Sequence, residues 1–170
     1  GEHADVMWPC FSFWDWKELG IGPWPAESAR LLRAAQRWRY ADRVPQLFWR
    51  GSDNGKFLAP GGEVTGKRRP LVDLGAVEPG LVNAMFTRST AALSLVTLAD
   101  HCRYRLLANV AGDSYSARLK YLLACGSTLF QVDDAHREFF QPLLRPGRHF
   151  VHVPPAMHTL PHQVRRALRA

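Results

Sequence analysis

No stretch of this 170-residue chain approaches the ~18 consecutive apolar residues that a membrane-spanning helix requires, and the first residues lack the basic and apolar regions of a secretory signal. No membrane span is therefore encoded in these residues. A GxxxxGK(S/T) loop and a GxGxxG turn are both missing, so the common ATPase and dinucleotide fingerprints are not matched. His101, His149 and His152 lie near strand ends without any spacing that suits zinc, and they read as structural. Acidic residues are in deficit: 15 Asp and Glu stand against 22 Lys and Arg, a formal charge of +7. That balance favours anionic partners, although solubility alone also accounts for it. No RNP, helix-turn-helix or zinc-finger pattern supports nucleic acid as the partner. What is present is an ordinary globular composition, 46% hydrophobic, in a chain long enough for one domain with a core.

The most informative run lies between Asp100 and Pro154. Tyr104–Val110 is short and mainly apolar and breaks at Ala111-Gly112-Asp113, which predicts a buried strand entering a tight loop. Ser114 and Ser116 are candidate N-caps for a helix over Ala117–Cys125, with Leu119, Leu122 and Leu123 on one face and Gly126 as a left-handed stop. Thr128–Val132 follows as a second strand. Strand, helix and strand so closely joined predict a βαβ crossover, with the helix N-terminus at the carboxyl edge of a parallel sheet. Free amides, two serine hydroxyls and Arg118 make that corner a seat for an anion. A cation at a helix N-terminus opposes the macrodipole, an offence of ~0.3–1 kcal/mol that a bound diphosphate would reverse. Pairing of Arg118 with Asp113, Asp133 or Asp134 is the open alternative.

Elsewhere, Glu27–Trp38 reads as a surface helix burying Leu31, Leu32, Ala35 and Trp38. Gln46–Trp49 reads as a strand and Gly51–Gly66 as a long loop. Leu81–Phe86 and Ala91–Leu98 remain ambiguous between helix and strand. The aromatic stretch Trp8, Phe11, Phe13, Trp14, Trp16 and Trp24 reads as core or as a ligand platform.

Five segments in order carry a resemblance: DVMWPCFSFWDW at Asp5–Trp16, LFWRGS at Leu47–Ser52, KRRPLVDL at Lys67–Leu74, the block Asp100–Ser127 and EFFQPLLRPGRHFVHVPP at Glu138–Pro155. The chain resembles the protein O-glucosyltransferase (Rumi-like) and capsule-associated xylosyltransferase family, also called lipopolysaccharide-modifying glycosyltransferases. The resemblance implies an α/β fold with a Rossmann-like parallel sheet, the nucleotide-sugar-binding half of an incomplete GT-B enzyme. Residues 1–45 would form the aromatic acceptor-side segment and linking helix, and 46–170 the UDP-sugar-binding domain, truncated at its C-terminus.

The implied reaction is inverting transfer of glucose or xylose from a UDP-sugar to a hydroxyl of a protein serine or a glycan. By position, Ser52 and Arg68 would contact the donor, and Tyr115, Ser116, Ala117, Arg118 and Leu119 would cradle the diphosphate. Phe13 and Trp14 would line the acceptor side. Arginine and helix amides would stabilise the leaving UDP without a metal or other cofactor, and no Asp-x-Asp pair of the metal-dependent kind is present. The general-base aspartate of the family lies upstream of the FSFW segment, and neither Asp5 nor Asp15 matches it. With Gly1 at its start and RRALRA inside a helical pattern at its end, the chain is expected to be a fragment. The resemblance also implies a Cys102–Cys125 disulfide, with two buried thiols as the alternative. A disulfide would place the parent protein in the endoplasmic reticulum or Golgi and leave Cys10 unpaired. A basic nucleic-acid-binding module without catalysis is the competing function.

Overall fold

The structure is a computed structural model that describes residues 6–58, 64–87 and 96–170. Its centre is an all-parallel sheet built from β1 (Val44–Gly51), β4 (Val82–Phe86), β5 (Tyr104–Asn109), β6 (Thr128–Val132) and β7 (Val151–Val153), in the order β4-β1-β5-β6-β7. The α/β parallel-sheet expectation is met. The predicted strand–helix–strand unit is there as β5, α4 (Leu119–Ala124) and β6. β1 is longer than Gln46–Trp49, and the Leu81–Phe86 run resolves into the strand β4. Most of Ala91–Leu98 lies outside the described residues, and Leu98 opens the short helix α3 (Leu98–His101). The expected loop Gly51–Gly66 contains an antiparallel pair, β2 (Lys56–Leu58) and β3 (Val64–Gly66).

Both faces of the sheet are covered, which explains its nearly continuous apolar strands. Alternate residues point to opposite sides. Leu47, Trp49, Leu106, Ala108, Val110, Phe130 and Val132 pack under α2 (Arg69–Val77) and α5 (Leu160–Arg169). Phe48, Leu107 and Leu129 pack under α1 (Trp24–Gln36), α3 and α4. Each fully buried Leu or Phe of this kind contributes ~1.5–3 kcal/mol by area.

α1 begins three residues before the expected start, because Pro25 is accommodated in a first turn where no intrahelical N–H is needed. Its buried face is Leu31 and Ala34, whereas Leu32 is exposed and Trp38 lies beyond the helix end. The expected face is therefore met at Leu31 and at Ala35, which packs against the same cluster, and missed at Leu32 and Trp38. The reason is tertiary: α1 lies against α4 and α3, and that contact selects its inward stripe.

Three features close this side of the sheet. Cys102 and Cys125 form the disulfide, with Cα atoms 4.8 Å apart, and Cys10 is free. Gly126, at φ +62°, supplies the left-handed stop after α4. Arg43 is buried and donates to the carbonyls of Cys125 (2.9 Å) and Ala35 (3.2 Å) and to Ser127 Oγ (2.8 Å). A cation at these two helix ends satisfies orphan carbonyls and complements both dipoles.

Candidate functional site

Strand order locates a crevice before any side chain is considered. From β1 the chain runs through α2 to β4 on one side; from β5 it runs through α4 to β6 on the other. The neighbours β1 and β5 thus flank a topological switch point, and open α/β sheets bind ligands outside the carboxyl ends of such strands. The loops leaving those ends touch. A Cβ on Gly55 would lie 2.7 Å from the Gly112 carbonyl carbon, and Gly55, at φ +76°, donates its amide to Asp113 Oδ1 at 2.9 Å. Only glycine permits this approach.

Two arginines enter the crevice. Arg68, buried at the start of α2, donates to Ser52 O (2.9 Å), Ser52 Oγ (3.1 Å) and Ala111 O (3.1 Å), and to Asn54 Oδ1. It therefore ties the end of β1 to the end of β5. Arg118 donates to the carbonyl of Arg50. Both guanidinium carbons lie 5.6 Å from the ring centroid of Trp49. Gly51 lets this packing close, since a Cβ there would sit 2.5 Å from the Trp49 ring and 3.2 Å from Arg118 Nη2.

Neither arginine has a carboxylate partner within salt-bridge distance among the described residues, so the alternative pairing of Arg118 with Asp113, Asp133 or Asp134 is not adopted. Burial, with the adjacent Arg68 charge second, lowers the Arg118 pKa to about 10. Burial likewise lowers that of Arg68, opposed by the charges of Asp113 and Asp53. Two desolvated like charges at one switch point favour an incoming anion, which would relieve their repulsion.

The helix beside them is smaller than expected. α4 has six residues and begins at Leu119; Arg118 occupies its N-cap position, and neither Ser114 nor Ser116 caps it. The Leu119 amide already donates to the Ser116 carbonyl at 3.2 Å, and the Leu119 side chain is buried. Ser116 is buried, and Tyr115 and Ala117 are half-buried in the loop before the helix. Burial and contact with Cys10 push the Tyr115 phenol up to about 12. A short helix has a small dipole, so the positive potential here comes mainly from the guanidinium groups.

Beside the arginines lies a cavity of about 490 Å³, lined by Lys67, Pro70, Val110, Ala111, Val132 and Pro155 among others. Asp133 and Asp134, at the carboxyl end of β6, separate it from a second recess of about 220 Å³ lined in part by Gln131, Arg137 and His152. Lys67 Nζ contacts Asp134 Oδ2 at 2.6 Å, and Asp134 Oδ1 takes the His136 amide at 2.9 Å. Burial would raise the Asp134 pKa, but these hydrogen bonds from Lys67 and His136 outweigh it and leave the carboxyl lowered. The sequence alone offers Asp133 and Asp134 only as partners for Arg118 and gives Lys67 and His136 no place in a site. Their signal was polar groups directly after an apolar strand in a βαβ unit.

The aromatic segment lies on the α4 side. Phe13 is half-buried among Phe139 (5.3 Å between centroids), Trp24 (6.0 Å) and Phe140 (6.2 Å), whereas Trp14 is exposed, as are Trp8 and Phe11. The segment thus supplies both core and open surface. Asp15 faces Lys17 at 3.9 Å, and Asp5 lies outside the described residues.

Comparison with known proteins gives this geometry a context. Residues 1–167 match the profile described as glycosyl transferase family 90. The chain is similar to protein O-glucosyltransferase 1 of Mus musculus, with 34% identity over 89% of this chain and 41% of the relative. It is also similar to an O-glucosyltransferase rumi homolog of Anopheles gambiae (34% identity, 90% of the chain, 40% of the relative). The O-glucosyltransferase rumi of Drosophila melanogaster matches at 30% identity over 88% of the chain and 38% of its own length. The chain thus spans about 41% of the length of the relatives in the best-covered of these matches.

Proposed function

Because the chain belongs to glycosyl transferase family 90, we propose that it forms the nucleotide-sugar-binding half of a GT-B glycosyltransferase. The enzyme moves glucose or xylose from a UDP-sugar to a hydroxyl of a protein serine or a glycan. One observation carries the donor assignment: Arg68 and Arg118, without carboxylate partners among the described residues, meet at the β1–β5 switch point beside an apolar cavity. The arginines suit a diphosphate. The 490 Å³ cavity suits a nucleoside, with Asp133 at its edge able to accept from ribose hydroxyls.

In this reading the acceptor oxygen attacks the anomeric carbon as the bond to the diphosphate breaks, and configuration inverts. The leaving UDP gains negative charge, which the two guanidinium groups stabilise from fixed positions in a partly desolvated crevice. Removal of the acceptor proton falls to an aspartate outside these residues. The exposed ring of Trp14 and the neighbouring Phe13 would face the acceptor. The Cys102–Cys125 bridge supports an oxidising compartment such as the endoplasmic reticulum or Golgi. Nucleic-acid binding, raised by the +7 charge and the interleaved aromatics, gains nothing from relatives bearing the names of O-glucosyltransferases.

Isothermal calorimetry with UDP tests the assignment. Saturable binding to the folded protein is expected, and its absence refutes the donor site.

A further inference from the structure

Lys120, in the first turn of α4 two residues after Arg118, is one of the few buried cations among the described residues, with a side chain 3% exposed. Its ammonium donates to Ser12 Oγ at 2.6 Å and to Ala117 O at 2.9 Å. It also lies 3.7 Å from Glu138 Oε1, 4.4 Å from the ring centroid of Phe13 and 4.5 Å from that of Tyr121. Tyr121 donates its hydroxyl to the Ser12 carbonyl at 2.7 Å, so one turn of α4 holds both the backbone and the side chain of Ser12. Glu138 is equally buried; its Oε1 receives the Cys10 thiol at 3.7 Å, and its Oε2 has no hydrogen-bond partner.

Packing alone does not call for this arrangement. A buried ion pair is seldom better for stability than apolar residues of the same volume, and its best-attested use is to fix one register among several that apolar packing would accept. Here the aromatic segment offers several rings of similar size, Trp8, Phe11, Phe13 and Trp14, any of which could dock against α4 by hydrophobicity alone. Ser12 and the face of Phe13 are what the ammonium selects. Once they are seated, Phe11 and Trp14 on either side are left 60% and 58% exposed.

We propose that Lys120, with Glu138 as its counter-ion, is a positioning residue that locks the Ser12–Phe13 pair onto α4 and so holds the exposed Trp14 ring in fixed register with the Arg118 corner. This inference rests on the donor-site reading above. Donor corner and aromatic face are then one mechanical piece, joined through a single helical turn, and a change at Arg118 is felt at Phe13.

The test uses the complete protein carrying 4-fluorophenylalanine at Phe13, observed by fluorine NMR while UDP is added, with UDP affinity measured separately by calorimetry. In the wild type, UDP is expected to shift the Phe13 resonance. In Lys120→Met, which keeps the volume and removes the charge, UDP affinity is expected to stay within about threefold while most of that shift is lost. Ser12→Ala removes the 2.6 Å hydrogen bond from the ammonium while the Lys120–Glu138 pair stays in place, so it weakens the same link without leaving a buried charge unpaired; a reduced fluorine response in it decides the matter if Lys120→Met does not fold. A lysine that merely stabilises the fold predicts a lower melting temperature with the fluorine response intact, and that result overturns the proposal. So does a UDP affinity that falls tenfold or more in step with the response. Failure of the wild type to bind UDP removes the donor site itself, and is seen before any variant is made.

Discussion

Arg68 and Arg118 share one indole: their guanidinium carbons lie 5.6 Å from the ring centroid of Trp49, on chain segments fifty residues apart. Arg68 is further tied to Ser52 and Ala111, whereas among the described residues Arg118 makes one hydrogen bond, to the Arg50 carbonyl. The two therefore have different duties: Arg68 also holds the ends of β1 and β5 together, and Arg118 has more donors to spare.

Arg118→Ala is expected to weaken UDP by ~1.5–3 kcal/mol through loss of a charge-assisted contact, with little change in melting temperature. Calorimetry and thermal denaturation of the same preparation check both halves of that statement. Arg68→Ala, by contrast, is expected to lower affinity and stability together, because it leaves several carbonyls at the strand ends without their donor.

Gly55→Ala is expected to destabilise the fold by more than ~1 kcal/mol, since the residue sits at φ +76° and any Cβ would strike the Gly112 backbone. The same change separates the loops that carry Asn54 and Asp113. UDP affinity is expected to fall with it. Denaturant titration gives the first effect and calorimetry the second.

Reducing the Cys102–Cys125 bridge, whose partners are 23 residues apart, is expected to cost roughly 3 kcal/mol by chain entropy. The melting temperature should fall in dithiothreitol, and Cys102→Ser/Cys125→Ser should reproduce the fall without reductant. Alkylation of the denatured, unreduced protein should label one cysteine, Cys10.

His101 makes stability depend on acid. Its ring is buried against Phe48 and its Nδ1 donates to the Thr97 carbonyl at 2.9 Å. Burial is the main cause that holds its pKa at about 4, with Arg118 and Arg50 adding to the depression against the hydrogen bond to Thr97. The unfolded chain, with an ordinary imidazole near 6.5, binds the proton first. Stability is therefore expected to decline as pH falls from about 6.5 toward about 4, by on the order of 3 kcal/mol from this group. Urea titrations across that range should show the slope in the wild type and a shallower one in His101→Gln.

The β5–α4–β6 unit was legible because its signals are local: an apolar run, a Gly-Asp break, a leucine stripe and a glycine stop. The helix start was misread for the opposite reason. Ser114 and Ser116 look like caps, but the conformation before α4 is decided by Gly55 pressing on Gly112 and by Arg118 reaching the Arg50 carbonyl, 68 residues away. Lys120 was hidden for a similar reason. In the helix pattern it reads as an ordinary solvent-facing lysine, and only the arrival of Ser12, 108 residues earlier in the chain, buries it. The cavity beside Asp133 and Asp134 depends on four separate segments converging, a fact of topology that no single stretch contains.

The hydrogen bond from Arg118 to the end of β1 has a thermodynamic consequence. A side chain clamped in this way has given up most of its rotamer freedom during folding, so little entropy is left to lose when a guest arrives. The fork is aimed before there is anything to grip, and discrimination among anions is left to their own shape and charge.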